Sequence, residues 1–104
     1  MKNASRHFKT RLTKFSKKLD LTPKKLNIKN LKSRWGSVTT DNTINLNVNL
    51  MKAPTSVIDY VILHELCHLK IKGHSYKFWQ LLRKFMPRYE EQKLWLEQND
   101  IIVS

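Results

Sequence analysis

The sequence predicts an α+β fold: a small antiparallel sheet of about three strands packed on a histidine-bearing helix, with one helix before the sheet and two after it. Three observations carry this reading. Residues 4–19 space their apolar side chains as a helix does, residues 43–50 alternate strictly between apolar and polar, and helical spacing returns from residue 55 onward. A chain of 104 residues is expected to be one domain, 1–104. At that size roughly 60–70% of the unfolded surface is buried on folding, enough for one modest core.

In ASRHFKTRLTKFSKKL, residues 4–19, Phe8, Leu12, Phe15 and Leu19 recur every three or four positions, with lysines and arginines between them. That spacing makes a helix with one apolar stripe and a strongly basic opposite face. Asp20 to Pro23 breaks it. LNIKNL at 26–31 and SRWGSVTT at 33–40 read as strands, Asp41-Asn42 as a turn, and TINLNVNL at 43–50 as a further strand. Ile44, Leu46, Val48 and Leu50 form its core face, and Asn45, Asn47 and Asn49 the other. Residues 33–50 are therefore expected to be a hairpin.

Beyond Pro54, Thr55 or Ser56 is expected to cap a helix that runs to about Lys70 or Ile71, with Asp59 in the first turn favouring the helix dipole. Gly73 suits the break after it. Ser75 can cap a helix over 76–86, whose Phe78, Trp79, Leu82 and Phe85 form an apolar stripe and which Pro87 ends. A last helix over about 88–98 carries Tyr89, Leu94 and Trp95.

Charge is unevenly placed. Residues 1–37 hold twelve of the twenty Lys and Arg and a single acid, Asp20; the rest of the chain is close to balanced. This basic segment, 1–37, is either a solvated helix face or a surface for nucleic acid or another polyanion. Cys67 is the only cysteine, so neither an internal disulfide nor an all-cysteine zinc site can form. The basic N-terminus lacks the apolar stretch of a secretory signal. The longest apolar run, VIDYVIL at 57–63, is interrupted by Asp59 and far short of the ~20 residues of a membrane span. A cytoplasmic protein with no membrane partner is expected.

HELCHLKIKGHS at 64–75 holds three of the four histidines. His64 and His68, four apart, project from one helix face, and two imidazoles so placed can each give a nitrogen to one zinc at ~2.0–2.1 Å. Glu65 sits about 100° round the helix from His64, within reach of a coordinated water without being a ligand. This is the H-E-x-x-H arrangement of zinc hydrolases, in which the metal acidifies water and the glutamate takes its proton. His74, just after Gly73, is the candidate third ligand, completing the three protein ligands usual for a catalytic zinc. The H-E-x-x-H-x5-H spacing matches the metzincins, but their glycine would fall at 71, where Ile71 stands. Cys67 reads as a packed thiol rather than a ligand, and His7 as a surface residue of the basic helix.

Taken in order, SRWGSV (33–38), INLNVNLM (44–51), IDYVILHELCHLKIKGHSYKFW (58–79) and MPRYEEQKLWL (86–96) resemble the YgjP-like metallopeptidase family, relatives of the SprT-like and WLM zinc proteins. The resemblance implies a gluzincin-like core, with one Zn2+ per chain on His64, His68 and His74, Glu65 as catalytic base and 58–79 as the catalytic motif. It also implies metal-dependent peptidase-like hydrolysis or, as in some members, nucleoside triphosphate pyrophosphohydrolysis preferring UTP. Members usually read SRWGSC where this chain has Val38, so a cysteine there is not needed for zinc. They also commonly carry a longer N-terminal region, so the chain is expected to be a minimal form or a fragment.

Substrate contacts stay open at this point. Arg34 is either a bidentate clamp for phosphate or carboxylate or a structural arginine near Trp35. Trp35 is read as packing, and Gly36 as a bulge or a close approach to the metal helix. Asn45 and Asn47 either line the cleft or form a solvated face, and Tyr76 either donates to an oxyanion or packs. Three functions fit: a peptidase holding an extended peptide on an edge strand such as 43–50, a nucleotide hydrolase on the same site, or a basic nucleic-acid-binding module with structural zinc.

Overall fold

A computed structural model describes residues 2–99 of the chain. Helix α1, Lys2–Leu19, is followed by strands β1 (Lys25–Lys29), β2 (Gly36–Val38) and β3 (Thr43–Asn47), then by a 3₁₀ turn at Val48–Lys52. Three helices complete it: α2 (Thr55–Cys67), α3 (Tyr76–Phe85) and α4 (Tyr89–Gln98). No helix among the described residues is long and apolar enough to cross a membrane.

The core is built around α2. Ten of its residues are buried, from Val57 to Cys67, so it is apolar nearly all round, as an interior helix must be. The predicted stripe of α1 packs on it, with Ala4, Phe8, Leu12 and Phe15 buried. A charge pair fastens the two helices: Arg11 donates to both carboxylate oxygens of Asp59, through Nε at 2.7 Å and a terminal nitrogen at 2.5 Å. Asp59 therefore serves this pair, not the first turn of α2, which holds no acid. Pro54, with no side-chain cap, occupies the cap position expected of Thr55 or Ser56, and its carbonyl accepts from Val57 and Ile58. Asp20 ends α1 in the left-handed region at φ 56°, which an aspartate tolerates.

The sheet is mixed rather than antiparallel. Its order is β1-β3-β2: β2 and β3 form the expected hairpin, but β1 runs parallel to β3, from Lys25 against Thr43 to Lys29 against Asn47. The reason is a crossover that local patterning does not encode. Residues 30–35 pass over the end of β3, and Asn47 holds them there. Its side-chain amide, fully buried, donates to the carbonyls of Leu31 at 2.8 Å and Arg34 at 3.0 Å, and its N–H donates to Trp35 O. Its Oδ1 accepts from Asn49 N, which turns the chain into the 3₁₀ segment and ends the strand three residues before the predicted 50.

Alternation then assigns the faces. Leu26, Ile28, Ile44, Leu46, Gly36 and Val38 face the helices, while Asn27, Asn45 and Ser37 form a polar ladder on the opposite face. Of the expected α4 stripe, Tyr89 is buried and Trp95 half-buried, but Leu94 is exposed and Leu96 takes the core position.

Candidate metal centre

The last turn of α2 carries His64, and His68 forms its C-cap. The helix stops at Cys67, earlier than the predicted 70–71, and tightens into i→i+3 bonds from His68, Leu69 and Lys70 to Glu65, Leu66 and Cys67. Gly73 then adopts φ +73°, with open space where a Cβ would sit, so the glycine is there for its backbone rather than for room. That reversal brings His74 back over the helix end.

The three Nε2 atoms converge. His74 Nε2 lies 3.2 Å from His64 Nε2 and 3.2 Å from His68 Nε2. Three nitrogens bound at ~2.0–2.1 Å to one tetrahedral ion would stand about 3.3–3.4 Å apart, so the spacing fits a metal. Among the described residues this is the one trio of His, Cys, Asp or Glu side chains that meets in such a way.

Tautomers agree with that fit. His68 donates from Nδ1 to the Ile71 carbonyl at 3.0 Å, which leaves Nε2 with a free lone pair. His64 turns Nδ1 to Glu65 Oε2 at 3.3 Å, with the same consequence. Burial pushes the His68 pKa down, helped by its histidine neighbours and opposed by the Ile71 carbonyl. Burial and His64 likewise push His74 down. Both shifts favour the neutral ring that ligation requires.

Aromatic rings from α3 brace the cluster. Phe78 stacks on His68 at 4.3 Å and meets His64 edge-on at 5.0 Å, while Trp79 stacks on His74 at 5.7 Å. Sequence reasoning placed both simply in the core. Phe78 is fully buried, but half-buried Trp79 is a wall of the site. A usable signal was their spacing, four and five residues beyond His74 at the start of a helix.

Glu65 is buried between His64 and the sheet, with only 8% of its side chain exposed. A Cβ added to Gly36 would sit 3.1 Å from both Glu65 Cγ and Oε2, so the expected close approach of this glycine to the metal helix is present, and Glu65 is what it approaches. The second carboxylate oxygen of Glu65 has no hydrogen bond within the described residues and is not sealed from solvent.

The remaining candidates lie elsewhere. Asn47 is consumed by the crossover and has no free donor or access to a substrate, and Asn45 lies on the sheet face away from Glu65. Arg34 is exposed, with no side-chain partner among the described residues. Tyr76, 77% exposed, lines a shallow groove of about 550 Å³ along α3 with Trp79, Arg83 and Tyr89. Cys67 is fully buried and its thiol is pushed up to about 12 by burial, the behaviour of a packed residue and not of a ligand. His7 is half-buried rather than on the surface.

A family model described as YgjP-like, metallopeptidase domain, matches residues 1–99. The chain belongs to the YgjP-like metallopeptidase family. Two crystal structures of metallopeptidase zymogens share its fold. Abylysin of Pyrococcus abyssi superposes with a TM-score of 0.78 at 24% identity, covering 88% of this chain and 94% of that one. Jannalysin of Methanocaldococcus jannaschii gives 0.77 at 28% identity with the same coverage of each chain. No curated protein sequence matches. Family and fold support a metal-dependent peptidase, and the three-histidine cluster could hold its metal.

Proposed function

We propose that this chain is a zinc peptidase that cuts extended polypeptide lying along the free edge of β2, with Glu65 as general base. The observation that supports this is a chain of neighbours: His64 gives Nε2 to the histidine trio and turns Nδ1 to Glu65, and the Glu65 carboxylate lies against Gly36, the first residue of an edge strand. The strand predicted for the peptide, 43–50, is unsuitable because β3 is central and paired on both sides. β2 is paired on one side only and begins beside Glu65, so its outer edge can add a strand by backbone hydrogen bonds.

Zinc on His64, His68 and His74 would supply Lewis acidity towards water and the scissile carbonyl. The protein supplies the proton handling and the alignment. Glu65, through the oxygen not engaged with His64, takes a proton from the attacking water and returns it to the leaving amine. Oε2, held between Gly36 and His64 Nδ1, fixes the orientation of the whole carboxylate, so little reorganisation is needed. The edge of β2 holds the chain extended, and Phe78 and Trp79 keep the histidine rings from turning.

Zinc-loaded protein is tested on an unfolded protein substrate, with pyrophosphate release from nucleoside triphosphates followed in parallel. Glu65→Gln should retain zinc and lose cleavage by at least ~10³-fold, the scale of a general base combined with its proton return. His64→Ala and His68→Ala should lose both zinc and cleavage. Glu65-dependent pyrophosphate release without peptide cleavage would replace this reading with the nucleotide one.

A further inference from the structure

A groove of about 820 Å³ lies away from the histidines, between α1 and β1. Its floor is apolar, formed by Leu12, Pro23, Leu26 and Ile28. Its rim is cationic: Lys9 and Lys17 from α1 face Lys24 and Lys25 at the start of β1. No acid lines it among the described residues, and neither an arginine nor an aromatic ring does so.

One wall of the groove is a strand edge. β1 is the outer strand of the sheet, paired only with β3. Asn47 N–H donates to Trp35 O and Thr43 O accepts from Thr39 N–H, so Thr43, Asn45 and Asn47 turn their backbone groups towards β2 while Ile44 and Leu46 turn theirs towards β1. In the parallel register this engages Lys25, Asn27 and Lys29 with β3 and leaves the N–H and C=O of Leu26 and Ile28 facing outward. No other backbone group among the described residues bonds to them. Such an edge usually needs a cover or a partner. The lysines here prevent pairing with a second copy of the same strand, because like charges would face one another, but they invite an acidic strand.

We propose that this groove docks an extended segment of another protein in which acidic and apolar residues alternate, added as a fourth strand along β1. The alternation follows from β1 itself. Apolar side chains of the added strand would lie on the face shared by Leu26 and Ile28, beneath α1, and acidic ones on the face shared by Lys25 and Lys29. Five residues of β1 present about 17 Å of edge, enough for a strand of ordinary length. The basic excess of residues 1–37 thereby gains a specific role. Single-stranded nucleic acid, the other polyanion such a surface suggests, is disfavoured because the groove offers no ring for base stacking and no guanidinium for phosphate. Docking here is independent of the chemistry at the histidines, and holds whether or not the peptidase reading does.

The probe is a fluorescent nine-residue peptide of alternating Glu and Val, titrated by anisotropy into the zinc-loaded full chain carrying Glu65→Gln, so that it is not cut. Binding should weaken on the order of tenfold with the surface pair Lys17→Glu and Lys25→Glu, whose melting temperature serves as the folding control. A peptide of the same composition with its glutamates grouped at one end should bind at least tenfold more weakly. N-methylation of alternate peptide residues should abolish binding in one of its two phases and spare it in the other, since only one peptide edge bonds to β1. Equal binding of the grouped and alternating peptides, equal effects of both methylation phases, or indifference to the lysine reversals would overturn the proposal. So would a ten-nucleotide single strand that binds more tightly than the peptide and loses affinity with the same lysines.

Discussion

Adding one methyl group at Gly36 tests how the sheet holds Glu65. The φ of Gly36 lies outside the left-handed region, so alanine meets no backbone strain there and the effect is one of space alone. The new Cβ would stand 3.1 Å from Glu65 Cγ, 3.1 Å from Glu65 Oε2 and 3.2 Å from Asn45 O. Each is about 0.3–0.5 Å inside an ordinary carbon contact. The carboxylate can yield by rotating; the Asn45 carbonyl belongs to the central strand and cannot. Glu65 therefore moves, by about half an ångström.

Overpacking of this kind costs about 1–3 kcal/mol, set against the 0.4–1 kcal/mol that alanine contributes by restricting the unfolded chain. The melting temperature should fall by several degrees. A 1 Å misplacement can cost about a hundredfold in rate, so half that distance should lower kcat on the order of tenfold. Zinc stoichiometry, measured by mass spectrometry, should stay at one, because no histidine is touched. If Gly36→Ala melts higher than the parent and cleaves at the same rate, the sheet does not position Glu65 and the account is wrong.

Three further outcomes follow from the same geometry. Arg11→Met leaves the mostly buried Asp59 carboxylate unpaired and should cost about 2–3 kcal/mol, less than a fully buried pair because Arg11 is a quarter exposed; the double change Arg11→Met, Asp59→Leu should recover most of it, and urea unfolding of the two variants decides. Because folding pulls the His68 and His74 pKa values below the ordinary imidazole value of about 6.5, the neutral rings are fully available above it. Zinc occupancy under chelator competition should therefore fall through protonation of those rings only as pH drops below that value; an imidazole resonance of either ring titrating above about pH 7 in the zinc-free protein would contradict this. Finally, the raised Cys67 pKa and its burial predict that a thiol reagent at pH 8 reacts only after unfolding, so rapid labelling of the native chain would place the thiol elsewhere.

The sequence by itself determined what depends on near neighbours. The apolar stripe of α1, the hairpin of β2 and β3 and the three C-terminal helices repeat at periods of 3.6 or 2, which a helix or a strand imposes on its own residues. His64 and His68 were legible for the same reason, since four residues of helix put two rings side by side whatever surrounds them. The glycine at 73 even marked where the chain would turn to present His74.

Tertiary structure decided everything that needs two distant segments to meet. The pairing of β1 with β3 depends on a crossover tied down by Asn47, and nothing in the alternation of 43–50 distinguishes an amide that faces water from one that is fully buried and bonded to Leu31 and Arg34. Burial reverses the meaning of such a side chain, because an amide removed from water must find its partners inside the fold. Likewise Gly36 matters because Glu65, 29 positions later, comes to rest against it, and Arg11 because Asp59 lies across the helix interface. Those contacts arise only when the core closes, and no local period announces them.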